Sequence, residues 1–160
     1  MRQLPSKERT VSIEDNKALV RRFFEEAWNK GNPEAVEDYV AASCVSRSGA
    51  PSGPLLKRAI RNWHTAFPDF AFQIVRLVAE DDYVVAWVRF TGTHRGVFHH
   101  APAGTRIWGP WEPTGKTVDV PEAWMMRIVG GKIAEIGHVW GGREFIEQLG
   151  VTLAPAPITG

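Results

Sequence analysis

Cysteine is nearly absent from this chain. Cys44 stands alone among 160 residues, which excludes an internal disulfide and any thiolate-rich metal site. An excess of charge of one sign is also lacking: 19 Lys and Arg face 18 Asp and Glu, interspersed, for a formal net charge of +1. Neither a nucleic acid nor an anionic membrane surface is therefore expected as a partner. No apolar run approaches the roughly 20 residues that span a bilayer, and the opening MRQLPSKERTVSIEDNK has no apolar signal-peptide core. The default expectation is a soluble, cytoplasmic protein. Missing too are a glycine-rich nucleotide fingerprint, a nucleophile elbow and a phosphate loop, which PTGK resembles only superficially. His99 and His100 come without a cysteine or carboxylate cluster, so neither a metal nor another cofactor is expected.

Hydrophobic residues at 44% and charged residues at 23% are ordinary globular values, and the length suits one domain. Tryptophan is plentiful, with seven residues. An indole is costly to bury unless its N–H finds a partner, so Trp63, Trp87, Trp108, Trp111, Trp124 and Trp140 either fill a core or wall an aromatic cavity.

Residues 1–12 are polar and read as a loose tail. From Ser12 or Asp15, either of which can cap, Leu19, Val20, Phe23, Phe24 and Ala27 recur at helical spacing. Gly31-Asn32-Pro33 ends that helix, and Pro33 suits the first turn of a second, EAVEDYV. A loop is expected from Ser43 to Pro54, then a third helix over 55–67, stopped by Pro68. Residues 71–79 and 83–91 read as strands around the acidic turn Glu80-Asp81-Asp82. Residues 117–128 and 133–140 flank Gly130-Gly131, a hairpin signal. An amphipathic turn, REFIEQLG, and a Pro-rich tail at 152–160 follow. Helices first and strands afterwards indicate an α+β domain over 13–151, with helices covering one face of a curved antiparallel sheet.

In that order several motifs become recognisable. NKALVRRFFEEAWNKGNPEAVEDYV, AFPDF at 66–70, GTHRG at 92–96, PTGK at 113–116, GGKIAEI at 130–136 and EQLGV at 147–151 together resemble the SnoaL-like polyketide cyclase family. That family belongs to the ketosteroid-isomerase and nuclear-transport-factor-2 cone-fold superfamily. The resemblance implies a cone-shaped, mixed β-sheet wrapped around the N-terminal helices, a deep apolar cavity for a polyketide-like small molecule, and a homodimer. It also implies ring closure or isomerisation without a cofactor. Hydroxylation or epoxide-opening proteins of related pathways, and non-catalytic binding or dimerisation modules of the same fold, are the alternatives. A fold does not fix the chemistry.

Two departures from the family pattern stand out. The family's Trp and acidic Asp, two and six residues beyond the Glu of GKI-x-E, are replaced by Gly137 and Gly141, which implies free space at that end of the cavity. The segment VFHHAPAGTRIWGPWE between GTHRG and PTGK is longer than usual. The search for an acid or base therefore turns to the hairpin. A regular two-residue turn pairs Ile128 with Ile133, Met126 with Glu135, Trp124 with Gly137 and Glu122 with Val139. It puts Val118, Val120, Glu122, Trp124, Met126, Ile128, Ile133, Val139 and Gly141 on one apolar face, the expected cavity face. His138 and Trp140 fall on the other, as packing or dimer contacts, unless a β-bulge reverses them. Glu122 is then the candidate catalytic carboxyl, its pKa expected to rise on burial, or a solvated glutamate near a sheet edge. His94 is its candidate proton-relay partner, or a structural histidine. Trp124, Met126, Trp63, Arg47, His99 and Trp108 are candidate substrate contacts. Phe67 and Tyr39 are expected in the core and Asp69 in a turn or cap.

Overall fold

The structure is a computed structural model. It describes residues 12–46, 49–100 and 108–152, except for the side chains of His100 and Trp108. The expected tails, apart from Ser12 and Thr152, lie outside the described residues, as does Arg47.

Helix α1 (Ile13–Phe23) opens on a reciprocal cap. The Ser12 hydroxyl accepts from the Asp15 N–H at 3.1 Å, and the Asp15 carboxylate accepts from the Ser12 N–H at 3.2 Å. Acidic residues in its first turn and Arg21 and Arg22 in its last complement the helix dipole. The helix then widens into a π-helical turn, Phe24–Asn29. Asn29 ends it by bonding both backbone groups of Phe72, which pins the helix to the sheet. A 3-10 turn, Pro33–Ala35, leads into the short α2 (Val36–Tyr39) and strand β1 (Val40–Val45). Helix α3 (Ser52–Ala66) crosses the open side of the sheet. Strands β2 (Ala71–Glu80), β3 (Tyr83–Thr93), β6 (Thr117–Val129) and β7 (Lys132–Trp140) follow, with a two-stranded arm, β4 (Phe98–His100) and β5 (Trp108–Trp111), inserted between β3 and β6. Helix α4 (Gly142–Leu149) ends the fold.

The main sheet has the order β1-β7-β6-β3-β2. Every pairing is antiparallel except β1 with β7, so the sheet is mixed, and it curls without closing. Its inner face alternates strictly. Val84, Ala86, Val88 and Phe90 of β3, and Val118, Val120, Glu122, Trp124, Met126 and Ile128 of β6, are all buried against the helices. Gly130 and Gly131, with φ of 58° and 74°, make the turn that the hairpin pattern anticipates.

The GTHRG motif has a structural explanation. The N–H groups of Arg95 and Gly96 both donate to the Ala66 carbonyl at the end of α3. The approach is so close that a Cβ on Gly96 would lie 2.0 Å from the Thr65 carbonyl oxygen. Asp69 bonds the N–H and hydroxyl of Thr93, each at 2.7 Å, tying the turn after α3 to the end of β3, in line with its expected turn role.

Three sequence expectations are corrected. Val40–Val45 is a strand where the chain from Ser43 reads as loop, and α3 begins at Ser52, before Pro54. REFIEQLG is a full two-turn helix. The third correction decides the site. β7 carries a bulge, so Ile128 faces Ile133 but Arg127 faces Glu135, leaving Ala134 as the extra residue. Beyond it Met126 faces Ile136, Trp124 faces His138 and Glu122 faces Trp140. The parity of β7 is thereby reversed. His138 and Trp140 turn inward, while Val139 points outward and is 70% exposed.

Candidate active site

Between α3 and the inner face of β6 and β7 lies a hollow of about 960 Å³. Aromatic rings form part of its walls: Trp28 from the π-helical turn, Phe70 just before β2, Phe72 of β2, Phe90 of β3, Trp63 of α3, and Trp124 and Trp140. The lining passes over the edge of β7 onto Val85, Met125 and Val139, so the hollow also reaches the outer side of the sheet. The rings brace one another. Trp124 meets Phe24, Trp28 and Phe72 edge-on at centroid distances of 5.6, 5.6 and 6.0 Å. Trp63 packs at 4.9 Å from Phe90 and 4.7 Å from Phe98. Such contacts hold each ring in one orientation.

Two carboxylates line the hollow: Glu135, which bonds Arg127 on the outer side, and Glu122. Glu122 is 4% exposed. As neighbours two apart on β6, Glu122 and Trp124 point the same way, and the indole N–H donates to Glu122 Oε2 at 3.0 Å. His138 lies directly across the ladder from Trp124. Its ring stacks on the indole at 4.1 Å, and its Nε2 lies 2.9 Å from the same Oε2. An indole can only donate, so Oε2 accepts from Trp124 and is hydrogen-bonded to His138 as well. Oε1 has no hydrogen-bond partner among the described residues. A carboxyl group held on one oxygen and free on the other can exchange a proton with a molecule in the hollow. No group of three or more potential metal ligands occurs among the described residues.

A family model for the SnoaL-like polyketide cyclase matches residues 18–149. The chain belongs to the SnoaL-like polyketide cyclase family. Solved structures agree on the fold. TsrD from Streptomyces laurentii is 21% identical with a TM-score of 0.70, over 88% of this chain and 98% of its own. AclR from Streptomyces galilaeus, described as a candidate hydroxylase, is 23% identical with a TM-score of 0.71, over 92% of each chain. IdmH from Streptomyces antibioticus, described as a candidate polyketide cyclase, is 20% identical with a TM-score of 0.63, over 85% and 99%. Among curated proteins, none matches.

As a SnoaL-like chain it arranges the anticipated residues unevenly. Glu122, Trp124 and Trp63 line the hollow together. Met126 is fully buried beneath it without lining it. His94 does not join Glu122. It is fully buried and stacked on Phe67 at 5.2 Å, and its Nδ1 accepts from the Thr114 N–H at 3.2 Å. Burial holds its pKa below the usual histidine value. His99 is exposed, and its carbonyl accepts from Asn62 at 3.0 Å. Trp108 belongs to β5 by its backbone, while its side chain and Arg47 lie outside the described residues. Trp87 faces outward, 48% exposed.

Of the two glycines that depart from the family pattern, Gly137 pairs with Met125 on the outer face and lines the part of the hollow that reaches it. At Gly141 a Cβ would lie 3.0 Å from Val120 Cγ1 and 3.3 Å from Glu144 Oε2, so that position is tight and lines no cavity. The residue that sequence reasoning assigned elsewhere is His138, and its signal, a histidine one residue past Gly137, was obscured by the bulge at Ala134. Trp28, which was not among the tryptophans singled out, is the other omission.

Proposed function

We propose that this protein performs acid/base chemistry on a hydrophobic, ring-forming ketone of polyketide type, with Glu122 as the catalytic base and acid. The observation that carries the reading is the buried Glu122 carboxylate, bonded through Oε2 to Trp124 and His138 on the wall of an aromatic hollow. The free Oε1 removes a proton from a carbon next to a carbonyl, giving an enolate. That carbon attacks a second carbonyl, a carbon–carbon bond closes, and the new alkoxide takes the proton back. No net proton is gained or lost. His138 is a positioning residue that holds the carboxylate through Oε2. The aromatic walls hold the folded conformer of the chain, and such positioning can supply much of a cyclisation barrier. The family's apolar cavity supports the substrate class. A homodimer formed through the exposed outer face of the sheet belongs to the same proposal.

The test uses deuterium exchange into the methyl group of acetylnaphthalene, followed by NMR. The native protein is expected to accelerate exchange, and Glu122→Gln to slow it about 100-fold or more, as loss of a general base does. Unchanged exchange in Glu122→Gln would remove the assignment. Ligand binding by the native protein without exchange would favour a binding module instead.

A further inference from the structure

Charge around the hollow is almost entirely engaged. Glu122 is held by His138 and Trp124, and Arg127, on the outer side, bonds Asp82 and Glu135. Helix α3 shows the same economy on the flank that meets the turn before α2: Lys57 bonds Glu34 and Glu37, and Arg61 bonds Glu34. Arg58 differs. It lines the hollow from α3, is exposed, and has no ion-pair partner among the described residues. One turn further along, on the same helix face, Asn62 also lines the hollow. Its amide donates to the His99 carbonyl at 3.0 Å, which ties the side chain to β4.

The two walls of the hollow are thus chemically unlike. The sheet wall presents a carboxylate; the helix wall presents an unpaired guanidinium with an amide next to it. Between them lie mostly rings and aliphatic side chains, with Ser46 and Ser52 also on the lining. An acidic group on a ligand is repelled from the Glu122 side and drawn to Arg58, whose planar fork matches a carboxylate. A carboxylate-bearing ring system therefore enters in one orientation, with its acid on α3 and its reacting carbon toward Glu122.

We propose that Arg58, supported by Asn62, is a specificity-determining pair that selects substrates carrying a carboxylate at the end that rests on α3. The inference rests on the reading of the hollow as the substrate site, and the experiment separates the two. Binding of naphthalene carboxylate and of its methyl ester is measured by calorimetry on the native protein, Arg58→Gln and Arg58→Lys. The native protein is expected to prefer the acid about tenfold, the lower end of what a hydrogen bond to a charged group contributes. Arg58→Gln should abolish the preference while leaving ester affinity unchanged, and Arg58→Lys should retain part of it. Equal affinity for acid and ester in the native protein, or a preference that survives Arg58→Gln, overturns the pair but leaves the Glu122 chemistry standing. If neither probe binds, the hollow is not a ligand site and both proposals fall.

Discussion

At Glu122 one carboxylate oxygen carries two hydrogen bonds and the other has no partner among the described residues, the asymmetry on which the proposed acid/base role rests. His94 shows the opposite condition. Its ring is enclosed, its Nδ1 is used as an acceptor, and desolvation lowers its pKa from 6.5. The sign of its effect on stability follows from linkage. As pH falls, the unfolded chain protonates His94 near its ordinary value while the folded chain resists. The stability that His94 contributes is therefore complete above about pH 6.5 and is lost as pH drops through the histidine range. His94→Gln, which keeps an acceptor toward Thr114, should weaken the dependence of the thermal midpoint on pH between about 7 and about 5. Parallel curves for the two proteins would show that His94 is not the titrating group.

At the level of elements, the contact between GTHRG and the end of α3 makes a sharp prediction. A methyl group on Gly96 meets backbone oxygen at 2.0 Å, with no flexible side chain to yield. Gly96→Ala should cost about 3 kcal/mol, as overpacking against an immovable neighbour does. Urea denaturation reads it, and a loss below about 0.5 kcal/mol, the usual surface value, would mean that the junction yields to the extra methyl group. The same elements show what sequence could reveal. α1 and α3 were legible because Leu19, Val20 and Phe23, and Ile60, Trp63 and Phe67, recur at helical spacing, and β6 because Val118, Val120, Trp124, Met126 and Ile128 fall on alternate positions, all of them buried in the structure. β1 was not. VAASCV is short and lacks the strand-forming alternation, and it becomes a strand through parallel pairing with β7, a partner far along the chain. Nor was the bulge, because Ala134 sits between Ile133 and Glu135 in a pattern that looks like regular alternation. Glu122 was placed correctly since β6 needs no correction, whereas its partner lies beyond the bulge. The π-helical turn that presents Trp28 toward Trp124 leaves no mark in the helical pattern.

For the molecule as a whole, the outer face of the sheet is the unsolved surface. Register aligns Val78, Val85, Met125 and Gly137 in one row, and Trp87, Ala123 and Val139 in the next. Val78, Trp87, Met125 and Val139 are 58, 48, 51 and 70% exposed. A contiguous apolar patch on a central sheet face marks an interaction site rather than an ordinary surface, and a two-fold homodimer buries such a patch against itself. Because the hollow's lining runs over the edge of β7 onto Met125 and Val139, a second copy would also wall its outer end. The combined change Met125→Lys and Val139→Asp places charges in the centre of the patch, where each would be desolvated by the partner. Sedimentation equilibrium should then show a dimer for the native protein and a monomer for the double variant, while Val97→Asp, at an exposed apolar position off this face, leaves the dimer intact. The monomer should keep Glu122 and His138 in place yet bind the naphthalene probes more weakly, since the outer end of the hollow is then both charged at Met125 and Val139 and open. A native protein that sediments as a monomer would remove the dimer, and a monomeric variant with undiminished affinity would show that each chain closes its own site.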